Sequence, residues 1–151
     1  MIKRRLPPYR ESVAGTLLSA REAVMGPIRP ILRDAGLTEQ QWRVLRVLID
    51  QGEIEPSRLA ESALLHAPSV TRILRELLDR NLVHRRPDAH DGRRSIIEAT
   101  LQGRRLVDQV SELTLREFDL YSESFGRARL DALRGELAAL VSALEAFQPK
   151  G

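Results

Sequence analysis

The residues best suited to chemistry cluster between positions 66 and 94. Val70, Ile73, Leu74 and Leu77 recur at three- and four-residue spacing, as the buried face of a helix does. The opposite face then shows Ser69, Thr71, Arg72, Arg75 and Asp79. Such a face suits the major groove of DNA. An Arg fork reads guanine bidentately, a hydroxyl reads either base, and a Ser or Thr near a helix N-terminus binds phosphate. A charged helix face standing alone is only a solvated face, so the elements around it decide between the two readings.

A second cluster follows at once. Arg85, Arg86, Arg93 and Arg94 flank Asp88 and Asp91, and the spacing places all four Arg on two strands joined by a turn. An Arg at the tip of such a loop suits a minor groove, where a narrow width deepens the negative potential. The two acids are expected to hold the loop and aim the Arg. All three His (His66, His84, His90) lie in the same segment. His84, Asp88, His90 and Asp91 offer donors that zinc accepts, but their spacing matches no closed structural site, so no metal is expected. A third cluster is Arg21, Met25, Trp42 and Arg43, where a guanidinium beside aromatic and thioether surface could clamp a carboxylate. The plainer reading is that Met25 and Trp42 belong to the core while both Arg are solvated or pair with Glu22 and Glu39. No nucleophile with a base, Gly-rich phosphate loop or His-Glu zinc motif is present, so neither an enzyme nor a cofactor is expected.

The elements that must position these clusters are legible. A helical pattern starts at Ser12 (Leu17, Ala20, Val24, Ile28, Ile31), with a break expected near Gly26-Pro27. Gly36 closes it. Thr38 and Gln41 form a capping box for a helix burying Trp42, Leu45, Leu48 and Ile49. Pro56 opens a short helix, and Pro68 opens the next one about four residues after it, the spacing of a helix-turn-helix. Segments 82–86 and 95–99 are expected as strands around a charged hairpin, with Asp91-Gly92 as the turn signal. Thr100 caps a long helix, Gly126 breaks it, and Leu130, Leu133, Leu137, Leu140, Leu144 and Phe147 form a heptad seam. Residues 1–10 are expected to form a loosely packed basic arm. The fold class is therefore mainly α: a winged helix-turn-helix between long N- and C-terminal helices.

Composition narrows the partners. The 151 residues carry 24 Lys plus Arg against 21 Asp plus Glu, a net charge of +3, and all the basic residues except Lys3 and Lys150 are Arg. Residues 66–94 alone hold seven Arg against four acids, so their net charge equals that of the whole chain. With no Cys, disulfide frameworks, Cys-zinc fingers and thiol chemistry are excluded. Aromatic residues, at 4%, are too few for a base-stacking single-strand surface. No apolar run approaches the ~20 residues needed to cross a bilayer, and Pro7-Pro8 interrupts any signal-peptide core, so a cytoplasmic protein without membrane contacts is expected.

The run Leu37-Thr38-Glu39-Gln40-Gln41-Trp42, then Leu59-Ala60, Ser69-Val70-Thr71-Arg72, Leu82-Val83, Asp88-x-x-Asp91-x-Arg93 and Thr100, resembles the MarR family of winged-helix transcriptional regulators. Leu18-x-x-Arg21-Glu22 is similar to the aromatic-catabolism, homoprotocatechuate-repressor-like branch. The resemblance implies a homodimer, with residues 1–36 and 101–151 as dimerisation helices and 37–100 as the DNA-binding lobe. It implies a helix from about Ala67 in the major groove and Arg93 in the minor groove, supported by Asp91. His90 stands where the family often has Arg, which implies that one wing salt bridge is either missing or dependent on pH. Phenolic or aromatic-carboxylate effectors are implied beside Arg21, Met25, Trp42 and Arg43, and Cys-based peroxide sensing is impossible. Two related recognition helices should read a pseudo-palindromic double-stranded operator with half-sites about one helical turn apart. The function expected is a ligand-responsive repressor of an aromatic-compound catabolic or efflux operon. The other class is a winged-helix module that binds protein.

Overall fold

The computed structural model describes residues 4–148 and falls into two compact units, the first running to Leu113 and the second starting at Thr114. In chain order the elements are a 3-10 turn (Tyr9–Glu11), α1 (Val13–Met25), α2 (Ile28–Asp34), α3 (Glu39–Gln51), α4 (Pro56–Ser62), α5 (Ala67–Asp79), β1 (Val83–Pro87), β2 (Ser95–Ala99), α6 (Leu101–Phe125) and α7 (Arg127–Glu145). The helical pattern that starts at Ser12 is thus two helices. Pro27 cannot donate to an α1 carbonyl and instead caps α2, and Pro30 occupies the third position of α2, whose N–H would have no helical partner.

The first unit holds the core. Leu45, Leu48, Leu59, Ile73, Leu74 and Leu77 are fully buried, each contributing about 1.5–3 kcal/mol of transfer free energy, and Leu32, Val70, Leu82, Val83 and Ile97 close around them. The expected capping box is present, with Thr38 Oγ1 accepting from Gln41 N and Gln41 Oε1 accepting from Thr38 N. Gly36 and Gly52 end α2 and α3 with positive φ, the backbone state Gly adopts most cheaply. Thr100 Oγ1 accepts from Gly103 N and caps α6 as the sequence indicates.

The wing is a two-stranded antiparallel sheet, Val83 facing Ala99 and Pro87 facing Ser95. Two features depart from expectation. Arg93 and Arg94 lie in the loop, not on a strand, because Asp91 O accepts from Arg94 N to make a turn inside a seven-residue connection. Gly92 has no positive φ, so Asp91-Gly92 is not the two-residue primed turn its sequence suggests. Ile54 adds a bridge that local periodicity does not reveal, exchanging both backbone hydrogen bonds with Ile97 at 3.1 and 2.9 Å.

The N-terminal arm is also more ordered than expected from Tyr9 onwards. Ser12 donates to Tyr9 O, and Thr16 Oγ1 donates to Arg10 O at 3.2 Å. Gly15 lies so close beneath this turn that a Cβ there would stand 1.9 Å from Tyr9 O. Met1–Lys3, and with them one charge of the basic arm, lie outside the described residues.

The second unit, the end of α6 with α7, is a helix pair without a fully buried apolar side chain. Leu133, Val141 and Leu144 are exposed along α7, and Phe118 and Tyr121 stack edge to face with centroids 5.3 Å apart. Ser122 is fully buried.

Candidate nucleic-acid interface

The α4–turn–α5 pair sets the first group of candidates. The turn is held from α3: Arg43 Nη1 donates to Ala63 O at 3.2 Å and to Leu64 O at 3.3 Å, satisfying carbonyls that α4 leaves open. Leu64 has φ +56°, a left-handed state that costs a non-glycine residue about 1–2 kcal/mol. Arg43 therefore acts on the fold of the turn. At the start of α5, His66 makes no side-chain cap and Pro68 has no N–H, so the first turn is left without side-chain partners.

The face of α5 away from the core carries every residue expected there. Ser69 is half-buried at the third helical position, and Thr71, Arg72, Arg75 and Asp79 are exposed. Thr71 Oγ1 donates back to Ala67 O at 3.2 Å. Arg72 is held: Nη1 donates to Glu76 Oε1 and Nη2 to Gln40 Oε1, both at 3.2 Å. The Arg75 side chain has no hydrogen bond or ion pair among the described residues.

On the wing the acids do shape the loop. Asp88 Oδ1 accepts from His90 N at 3.0 Å, and Asp91 Oδ1 accepts from Arg93 N at 3.1 Å. The charged groups then divide. Arg93 is exposed and its side chain has no partner among the described residues. Arg94 lies 3.1 Å from Glu55 and 3.6 Å from Asp91. Arg86 is half-buried and pairs with Glu53, whose hydrogen bond strengthens the hold on its proton, and with Glu98 at 3.7 Å. Glu98 also sits 2.8 Å from Nε2 of the cross-strand His84. The asparate expected beneath Arg93 thus holds its backbone, while its second oxygen faces Arg94.

The third cluster is not gathered as one site. Trp42 is in the core at 7% exposure, with Met25 half-buried and packed against the same cluster. Arg21 Nη2 donates to Glu39 at 2.7 Å, and Arg43 faces the α4 end instead. Arg29, which the sequence analysis did not single out, completes a four-member network by bonding Glu39 through Nε and Glu22 through both Nη atoms at 2.7 and 2.9 Å. Arg46 was also missed. One turn after Trp42 on α3, its guanidinium carbon lies 6.0 Å from the indole centroid, and it has no carboxylate partner among the described residues. The i, i+4 spacing of Trp42 and Arg46 was the available signal.

Hydrogen bonds from Arg21, then Arg29, hold the Glu39 carboxyl below its usual range, and Arg29 does the same for Glu22. A carboxylate with a lowered folded value stabilises the fold above its unfolded pKa of about 4.5, and that contribution is lost as pH falls through the lower folded value. Thermal stability should therefore fall below about pH 4.5, and Glu39→Gln should flatten that acid limb. Melting temperature against pH for both proteins checks it. An unchanged slope in the variant would show that Glu39 is not a source of the acid limb.

Comparison with known proteins places this arrangement. A MarR-family model matches residues 35–94, from the end of α2 to the last residue of the wing loop. The transcriptional regulator FarR of Neisseria gonorrhoeae is 36% identical over 131 residues, covering 87% of this chain and 90% of FarR. This chain belongs to the MarR family. Within that family it is 37% identical over 99 residues to the homoprotocatechuate degradative operon repressor of Escherichia coli, covering 66% of this chain and 67% of that protein. The structure of NadR in complex with 4-hydroxyphenylacetate superposes with a TM-score of 0.79 at 34% identity, covering 91% of this chain and 97% of NadR. The MarR match contains all eight DNA-contact candidates, together with Trp42 and Arg43, and leaves Arg21 and Met25 outside it. This MarR protein is a winged-helix, DNA-binding transcriptional regulator, and the relatives it matches are regulators, not enzymes. No helix among the described residues is long and apolar enough to cross a membrane.

Proposed function

We propose that this MarR protein is a homodimeric repressor that docks α5 in the major groove and the tip of its wing in the minor groove. Residues 37–100 form the DNA-binding lobe, and 1–36 with 101–151 form the dimerising part. The observation that carries the reading is that two guanidinia on the proposed DNA-facing elements, Arg75 on α5 and Arg93 in the wing loop, are exposed and without a partner among the described residues. Neither is neutralised by another of the described residues, so each is available to an external anion. Ser69, Thr71 and Arg72 share the α5 face, while Arg86, Asp91 and Arg94 build the wing beneath Arg93. Exposed Val13, Leu17 and Leu18 on α1, and Leu133, Val141 and Leu144 on α7, supply apolar surface for a second copy. The test is a gel shift with the duplex upstream of the protein's own gene. A discrete, competitor-resistant complex with two protomers per duplex is expected, and binding no tighter than to random duplex overturns the reading.

The regulated genes are those of aromatic-compound catabolism or efflux, and the effector is a small aromatic carboxylate. Support comes from two relatives: one represses a homoprotocatechuate operon, and one is solved with 4-hydroxyphenylacetate. Within this chain, Trp42 and Met25 offer apolar surface and Arg21, Arg43 and Arg46 offer cations. Of the three, Arg46 is the one not already engaged by a carboxylate or by carbonyls. Titration with 4-hydroxyphenylacetate should shift the fluorescence of the single Trp and release operator DNA. Arg46→Ala should weaken that binding by about 10- to 150-fold, a charged hydrogen bond being worth about 1.5–3 kcal/mol. No fluorescence change at millimolar ligand would remove the effector assignment and leave the DNA reading standing.

A further inference from the structure

We propose that Gln40, at the second position of α3, is a specificity-determining residue that aims Arg72 at its base without touching DNA. The inference rests on the reading of α5 as the recognition helix. Arg72 and Arg75 lie on the same exposed face, yet the structure treats them differently. Arg75 has no partner among the described residues, whereas both terminal nitrogens of Arg72 are engaged, one by Glu76 on its own helix and one by Gln40 from α3. Two acceptors on different helices fix the guanidinium plane as one acceptor could not.

The acceptors are themselves fixed. Glu76 Oε2 accepts from Gln41 Nε2 at 2.8 Å, and Gln41 is locked by the capping box with Thr38. Glu39, the residue before Gln40, is gripped by Arg21 and Arg29. The first turn of α3 therefore acts as a rigid bracket whose outer edge holds Arg72. Donor accounting leaves the base-reading function intact. A guanidinium has five N–H groups, and the bracket takes two, leaving Nε–H and one on each terminal nitrogen. Nε with its neighbouring terminal nitrogen is a parallel pair of the kind that guanine O6 and N7 accept. Because the side chain is ordered before DNA arrives, less conformational freedom is lost on binding. Arg72 so becomes the geometric reader and Arg75 the mobile charge.

The experiment measures binding to two duplexes: the preferred site that the wild-type protein selects from random-sequence DNA, and that site changed at the base pair Arg72 reads. Arg72→Ala should cut the affinity ratio between them by about 5- to 150-fold. Gln40→Ala should cut it by about three- to tenfold, the net value of one hydrogen bond, while binding to random duplex and melting temperature stay unchanged. Gln40→Glu, which keeps the acceptor oxygen, should restore the ratio. In the Arg72→Ala background, Gln40→Ala should have no further effect, whereas a residue contacting DNA directly would add its own loss. An unchanged ratio in Gln40→Ala, or tighter binding through release of a sequestered Arg72, overturns the positioning role while base reading by Arg72 stands. An unchanged ratio for Arg72→Ala overturns base reading and the positioning role with it.

Discussion

Gly103→Ala is expected to destabilise the protein by about 3 kcal/mol, the upper part of the usual range for overpacking. Helix propensity predicts the opposite sign, since Ala is favoured over Gly inside a helix by about 1 kcal/mol. The structure reverses it because α6 begins under the backbone that joins α5 to β1. A Cβ on Gly103 would stand 2.1 Å from Leu82 O and 3.1 Å from Leu82 C, and neither atom belongs to a side chain that could turn away. Leu82 is 2% exposed, its N–H donates to Leu77 O, and its carbonyl accepts from Thr100 N at 3.0 Å. Making room means breaking the Thr100 bond or moving the root of the wing. Urea unfolding of the variant checks the sign, and a midpoint equal to or above wild type would refute the close approach. Because the wing root moves, operator binding should weaken as well, at temperatures where the variant remains folded.

That contact also marks where sequence reading stops. The helices were legible because each feature that makes them is local: the apolar stripe of α5, the Thr38–Gln41 box, Pro at helix starts, and Gly36 and Gly52 at helix ends. What was missed is non-local. Ile54 joins the wing through Ile97, forty-three residues on, with no periodic signal of its own. Arg86 and Arg94 look identical to Arg93 in sequence, but Glu53 and Glu55 arrive from the α3–α4 connection to neutralise them. Only folding separates the paired from the unpaired Arg. The same holds for the effector candidates, where Arg21 and Arg43 are already engaged and Arg46, beside Trp42, has no carboxylate partner among the described residues. Net charge points to one segment, and the pairing pattern within it separates the engaged cations from those left open to a ligand.

The largest effect expected is on the salt dependence of DNA binding. If the two lobes of a dimer neutralise about 6–10 phosphates, affinity should fall by about 10³–10⁵ between 50 and 200 mM salt. A module that binds protein through the same lobe has no condensed counterions to release and would show a shallow dependence. Fluorescence anisotropy over that salt range separates the two. Arg93→Ala sharpens the test because Arg93 is exposed, has no carboxylate partner among the described residues and sits at the wing tip, so its removal deletes charge without exposing an acid. The wing frame should survive, since Asp91 bonds the backbone N–H of residue 93 and not its side chain. Binding should weaken on specific and random duplexes alike, and the log–log slope should become shallower by about one for each Arg93 in the complex, hence by about two in a dimer. A change of one would mean that one wing engages DNA, and no change would remove Arg93 from the interface. In either case the preference among operator bases should persist if α5 is the recognition helix, as proposed.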